Sequence, residues 1–295
     1  LGTTISPQAY VDKGAQLADG VEVGPFAYVG AGVTLGEGCV LRHHASITGK
    51  STIGKGNQFY PGCYVGEDPQ DLKYHGSDTT LIIGNDNVFR EMVTVHRGTE
   101  VGGGETRIGN DNHFLVSVHI AHDVIVGNKC VVANSVQLAG HVVLEDRVNI
   151  GGMVGLHHFV SIGKNAFLGG FSRVTRDIPP FTVALGYEGV VRALNTVGLQ
   201  RWGMSWEEIG RLRKAFKALY SKRAMAEGTT LLERVDRLDG EIAADENVRY
   251  MCDFIRRATA DGVSGRYLEP KRQDSHEDRK HFYEDAENLA AEDGE

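Results

Sequence analysis

No stretch of this 295-residue chain approaches the ~18 consecutive apolar residues that a membrane-spanning helix requires. The first residues, LGTTISPQAY, lack the charged start and apolar middle of a secretory leader, so a cytoplasmic location is expected. Cysteine is scarce: Cys39, Cys63, Cys130 and Cys252 are scattered, with no CxxC pair, and read as small buried residues in a reducing compartment. Positive charge is also short. The net charge is −8, and no Lys/Arg stripe is dense enough to follow a phosphate backbone, so nucleic acid is not an expected partner.

What remains is a globular composition, 41% hydrophobic and 24% charged, with one excess. The 38 glycines are nearly twice the usual share and lack the third-residue period of collagen. So many glycines imply many tight turns, and hence a repeat architecture.

The repeat is visible directly. From Ile5 an aliphatic or aromatic residue returns every sixth position through Val11, Leu17 and Val23 to Phe59 and Val65. A small or β-branched residue follows four places later, as at Ala27, Val33, Cys39 and Cys63. The register breaks after Val65, resumes at Ile83, Phe89 and Val95, slips by one near Gly102–Gly104, and runs from Ile108 to Val174. Six is neither a helical nor a simple strand period. It fits a short strand plus a turn, three hexads to a triangular coil, with coils stacked at the interstrand distance of ~4.8 Å. Two excursions from the coil are expected, near 68–80 and 101–106. The second is not a phosphate loop, because no GKS or GKT follows its glycines.

After Pro179–Pro180 the period changes. Ser205 and Glu208 form a capping box ahead of Trp206, Ile209, Leu212, Phe216 and Leu219 at helical spacing. A second helix is expected over Leu231, Val235, Leu238 and Ile242, and a third over Val248, Met251 and Ile255. Beyond Gly265 the chain is acidic and poor in aliphatics, and disorder is expected. The expected architecture is mainly β: a parallel β-helix over 1–182, a small α-helical domain over 183–264, and a tail over 265–295.

Three hexads per coil put residues 18 apart on one edge. His122, Gly140 and His158 then share a column, with His141 beside Gly140 and His119 three residues before His122. A hydroxyl attacking a thioester needs a base near neutral pKa and a donor for the developing oxyanion. Histidine supplies the first and an unshielded glycine N–H the second. The bland alternative is a set of turn histidines at the surface.

At these residues the sequence resembles a known family. HIAHD (119–123), LAGH (138–141), QDLKY (70–74), VHRGT (95–99) and IGGM (150–153) are similar to the UDP-N-acetylglucosamine acyltransferases of lipid A biosynthesis, over roughly residues 1–260. The resemblance implies a left-handed coil, against the usual right-handed crossover rule. It also implies a homotrimer with sites between subunits, and transfer of an (R)-3-hydroxyacyl chain from acyl carrier protein to the sugar 3-hydroxyl, without cofactor or metal. By that likeness His122 is the base, Asp123 assists it, and the Gly140 N–H stabilises the oxyanion. His119, His141, Asn195 and Arg201 would hold the sugar nucleotide. Asp71, Lys73, His96, His157 and His158 would also lie near the substrates, and Gly170 would set acyl-chain length, its small size implying a long chain. The basic residues Arg211, Arg213, Lys214, Lys217, Lys222 and Arg223 would meet the acidic carrier, or simply form a solvated helix face.

His158, Val197 and Trp202 depart from the family pattern, which leaves a 3-amino sugar open as the acceptor. A β-helix carbonic anhydrase, with zinc on His119, His122 and His141, is a competing enzyme class. A structural rod without activity is a third reading, and it leaves the histidine column unexplained.

Overall fold

The computed structural model describes residues 2–226, 228–238, 244–263 and 265–271. Short strands wind into a left-handed parallel β-helix with three flat faces, of eleven, nine and eight strands in the order the chain meets them. Strands stack at intervals of 18 residues, as in Gln137 against Gly155 and Leu138 against Leu156. The hexad aliphatics point inward: Val23, Val29, Leu35, Leu41 and Ile47 are at most 3% exposed. The first coil is the exception: Ile5 is 46% exposed and Val11 and Leu17 are half-buried, their strands each having a neighbour on one side only.

The small inward positions complete the core. Cys39, Cys63 and Cys130 are fully buried free thiols, and burial pushes Cys63 and Cys130 up to about 12. Where that position is Asn57, Asn87 or Asn112, each side-chain oxygen accepts the backbone N–H one coil on, at 2.8–3.0 Å. The buried polar group is thereby satisfied. Phe59, Phe89 and Phe114 stack through the same coils with ring centroids 4.9 and 5.1 Å apart.

Both excursions lengthen the stacking interval. Asn57 and Asn87 are 30 residues apart, and Thr94 and His119 are 25. The first excursion lies between strands Tyr64–Glu67 and Thr80–Ile83, and Arg97 anchors it by donating to the Gly66 carbonyl and to Asp68. The second contains a 3₁₀ turn at Glu100–Gly102. It ends sooner than the glycines imply: Glu105 and Thr106 are already in a strand, paired with Thr80 and Leu81. Thr106 is fully buried there, at the position of a small inward residue.

The helical domain expected over 183–264 opens with strands, and its first helix, at Thr196, precedes the one expected after Ser205. Thr182–Leu185 and Val190–Leu194 form an antiparallel hairpin that extends the first face, its turn relying on positive φ at Gly186 and Gly189. Five helices follow among the described residues: α1 (Thr196–Arg201), α2 (Trp206–Tyr220), α3 (Lys222–Ala226), α4 (Leu231–Asp236) and α5 (Glu246–Ala258). The Ser205–Glu208 capping box is present, and a second, Thr230 with Glu233, starts α4. Leu238 lies past the end of α4, whose C-cap is Arg237, and Ile242 lies outside the described residues. Lys222 and Arg223 belong to α3, because Ser221 ends α2 in extended backbone.

Leu199, Ile209, Leu212, Leu219, Val248, Met251 and Ile255 bury against Phe181 and Leu194 as a second core. Glu145 joins the two parts, accepting from Tyr250 Oη at 2.6 Å and from the Lys164 N–H at 2.7 Å. Residues 265–271, expected in the disordered tail, are packed instead. The buried Asp177 carboxylate accepts the N–H groups of Ser161 and Tyr267 at 2.7 and 2.8 Å, which clasps this strap to the last coil. For 272–295 the expectation of disorder lies outside the described residues. No helix among the described residues is long and apolar enough to cross a membrane.

Candidate active site

The turn from the second face to the third carries the histidine column. Strand His119–Ile120 enters it and Ile125–Val126 leaves it, with Asp123 in left-handed backbone at φ 59°. One and two coils further on, His141 and Phe159 occupy the same turn position with φ 64° and 65°, and their rings stack at 4.3 Å. The column inferred from spacing is real: a Cβ placed on Gly140 would lie 2.4 Å from His122 Cε1. Only glycine lets this backbone sit over the imidazole.

His122 and Asp123 form a buried pair, both 6% exposed, with Nδ1 to Oδ2 at 2.7 Å. The carboxylate is held from behind. Thr99 donates its N–H to Oδ1 at 2.9 Å and its hydroxyl to Oδ2 at 2.7 Å, while the Asp123 N–H donates to Thr106 Oγ1 at 2.7 Å. Burial alone would raise the Asp123 pKa, but hydrogen bonds from His122 and Thr99 prevail and hold it below the ordinary value. The second excursion exists at this spot in a tight form, since a Cβ on Gly102 would meet the Asp123 carboxylate at 2.0–2.2 Å. Spacing arguments single out neither threonine nor this role for Gly102. The only sequence trace is Thr99 at the end of VHRGT.

Around the pair, His141 presents Nε2 3.8 Å from Asp123 Oδ2 and its ring edge-on to His122 at 5.2 Å. Burial brings His141 down to about 4 despite the nearby Asp123 charge. His158 lies 6.5 Å from His122, ring centroid to centroid, and His157 Nδ1 is bonded to the His158 carbonyl at 3.1 Å. From the first excursion Asp71 places Oδ2 3.9 Å from His122 Nε2, and Lys73 Nζ lies 4.0 Å from the same oxygen. His96 and His119 meet edge-on at 5.0 Å, His119 Nδ1 being bonded to Thr94 Oγ1 at 2.7 Å. Burial holds both below the ordinary histidine value, His96 at about 4.

Three expected site residues lie elsewhere on this chain. Gly170 is on the turn from the first face to the second, 3.0 Å (from an ideal Cβ) below the Gly152 carbonyl oxygen. Asn195 caps α1 and donates to the carbonyl of Asn165, on the turn from the third face to the first. Arg201 is exposed at the end of α1. The three groups thus mark three different edges of the prism.

With Nδ1 engaged by Asp123, His122 has Nε2 as its remaining ring nitrogen, facing Asp71. Among the described residues the Gly140 N–H has no hydrogen-bond partner, whereas the flanking amides of Ala139 and His141 are bonded to Leu156 and His122 carbonyls. A ring nitrogen able to accept a proton and an N–H able to donate to an oxyanion therefore sit side by side. A cation is the other chemistry these groups support: ligand atoms of His122, Asp123 and His141 lie within 4.8 Å of one another. His119, imagined as a third zinc ligand, is not among them and bonds Thr94 Oγ1 through Nδ1.

Comparison with known proteins agrees on one family. The model of domain 2 of the UDP-N-acetylglucosamine O-acyltransferases matches residues 177–264, and the bacterial transferase hexapeptide model matches 14–49. The acyl-(acyl-carrier-protein)–UDP-N-acetylglucosamine O-acyltransferase of Stenotrophomonas maltophilia is 48% identical over 255 residues, 86% of this chain and 95% of its own. That of Synechocystis is 43% identical over 209 residues, 71% of this chain and 73% of its own. Among solved structures, the UDP-N-acetylglucosamine O-acyltransferase of Moraxella catarrhalis superposes with a TM-score of 0.80 at 38% identity, covering 85% of this chain and 96% of that one. The chain belongs to the UDP-N-acetylglucosamine O-acyltransferase family.

Proposed function

We propose that the chain transfers an (R)-3-hydroxyacyl group from the thioester of acyl carrier protein to the 3-hydroxyl of UDP-N-acetylglucosamine, the first step of lipid A biosynthesis. The observation that carries the reading is the buried Asp123–His122 pair lying against Gly140, whose N–H is unspent among the described residues. His122 Nε2 accepts the proton of the sugar hydroxyl, whose oxygen attacks the thioester carbonyl. The Gly140 N–H donates to the resulting oxyanion. Collapse expels the carrier thiolate, which takes the proton back from His122 as a thiol. Asp123 fixes the ring so that Nε2 faces the substrate and stabilises the imidazolium formed on the way.

His141, largely unprotonated at neutral pH, supplies a neutral hydrogen-bonding ring beside the base, and Asp71 and Lys73 line the same opening. Arg201, on a separate edge of this chain, reaches the nucleotide from a neighbouring copy in a homotrimer. The basic surface for the carrier loses Arg211, which is spent on Asp245 and Glu207, and on α2 it keeps Arg213, Lys214 and Lys217. The test is acyl transfer measured with UDP-N-acetylglucosamine and its 3-amino counterpart against hydroxyacyl carriers of several lengths. His122→Ala is expected to lower kcat by ~10²–10⁴-fold, the usual worth of a positioned base. Retained activity in that variant removes the mechanism, and preference for the amino sugar changes the acceptor.

A further inference from the structure

A second concave surface lies away from the histidines. α2, α3 and α4 enclose a groove of about 460 Å³ lined by Lys214, Lys217, Arg223, Arg234 and Arg237 over an apolar floor that includes Ala224 and Leu238. Among the described residues no carboxylate lies within 4.0 Å of Lys214, Lys217, Arg223 or Arg237, although neighbouring basic residues such as Arg211 and Arg256 are fully paired. One lining residue, Arg234, also has a buried Nε without a partner, although its guanidinium donates to the Thr229 carbonyl. A buried donor left unsatisfied is costly, and cations with no ion-pair partner among the described residues attract an anion. Together they call for an anionic occupant with oxygen acceptors and some apolar surface.

This chain carries such an occupant itself. Residues 281–295, HFYEDAENLAAEDGE, contain six carboxylates and no Lys or Arg, interspersed with Phe282, Tyr283 and Leu289. Residues 272–295 as a whole account for six of the eight excess negative charges of the chain. They lie beyond residue 264, where the family model ends. The strap delivers them to the right neighbourhood. Tyr267 packs on Phe254 and under Arg257 of α5, and the adjacent Arg256 is bonded to Asp236, next to the groove residue Arg237. A coil of twenty-four residues spans ~27 Å on average, and the same length fully extended ~80 Å, so the groove is within reach.

We propose that the acidic segment 281–295 seats in the basic groove between α2, α3 and α4, where it competes with an acidic acyl donor for Lys214 and Lys217. The competition rests on the carrier-docking reading above; the seating does not. Attachment to the same chain gives the segment an effective concentration of order mM, so even a weak electrostatic contact is populated at low salt and released as salt screens it.

The experiment keeps the full chain and neutralises the segment: Glu284→Gln, Asp285→Asn, Glu287→Gln, Glu292→Gln, Asp293→Asn and Glu295→Gln together. Seating is read first, without substrate, by the acetylation rates of Lys214 and Lys217 under limiting reagent. The parent is expected to protect both lysines ~3-fold or more at low salt, and the variant or added salt to remove that protection. Equal rates in parent and variant overturn the proposal. Protection that grows with protein concentration assigns the segment to a second copy and overturns the intramolecular seat. Donor KM is then compared: the variant is expected to show a ~3–10-fold lower KM for acyl carrier at low salt, with kcat and KM for a short acyl-pantetheine donor unchanged. Protection lost with an unchanged carrier KM supports the seating and sends carrier docking elsewhere.

Discussion

Thr99 does more for this site than its place on a loop suggests. One hydroxyl donates to Asp123 Oδ2 and accepts the Gly102 N–H, so it fixes the carboxylate and the excursion together. Hydrogen bonds to a charged group are worth ~1.5–3 kcal/mol. Thr99→Val should therefore lower kcat by ~10–100-fold with little change in KM, which steady-state kinetics would show. A change confined to KM would mean that the carboxylate keeps its aim without the hydroxyl. The buried histidines set a pH dependence as well. His96 and His141 are each brought down to about 4 by burial. Between pH ~6.5 and about 4 the unfolded chain takes up protons that these folded imidazoles refuse, so stability falls as pH drops through that window. Denaturant midpoints at pH 7 and pH 5 should differ in that sense, and the difference should shrink in His96→Asn.

The hexad coil was legible because its period is fixed and every violation has a cost: a polar inward residue must find a partner, as Asn57, Asn87 and Asn112 do. The same arithmetic found the column of His122 and Gly140. It could not find Thr99 behind Asp123, because that contact spans 24 residues across an insertion that breaks the 18-residue interval. The hairpin at 182–194 was hidden for a similar reason, since its strands pair antiparallel and keep no hexad. The strap at 265–271 was missed because its anchors, Asp177 and the Tyr267 N–H, belong to distant parts of the chain. At the turn between the first and second faces, Gly152 and Gly170 stack without side chains. Gly170→Met should shift donor preference toward shorter hydroxyacyl chains in a competition assay. Its new Cβ must also ease 3.0 Å from the Gly152 carbonyl oxygen, so the readout is selectivity rather than total rate. Unchanged selectivity would make Gly170 an ordinary turn glycine.

In the whole molecule, His122 and Arg201 mark edges that one protomer does not bring together. If each site is shared between neighbours in a trimer, His122→Ala and Arg201→Ala protomers, each nearly inactive alone, should regain part of the parent activity when unfolded together and reassembled. Mixtures no more active than their components would place both residues in one subunit's site. The coil has one further consequence. Each turn of strands touches only the turns before and after it, so the ordering of every new coil closes a loop of only 18 residues, except at the two excursions. Folding can advance as a winding front that needs no distant contact to proceed. Among the described residues the turn containing Ile5 is stacked on one side only, while Glu145, Tyr250 and the Asp177 clasp tie off the other end. Loss of structure would then run as a reversal of the winding, unreeling toward the histidine column and reaching it late.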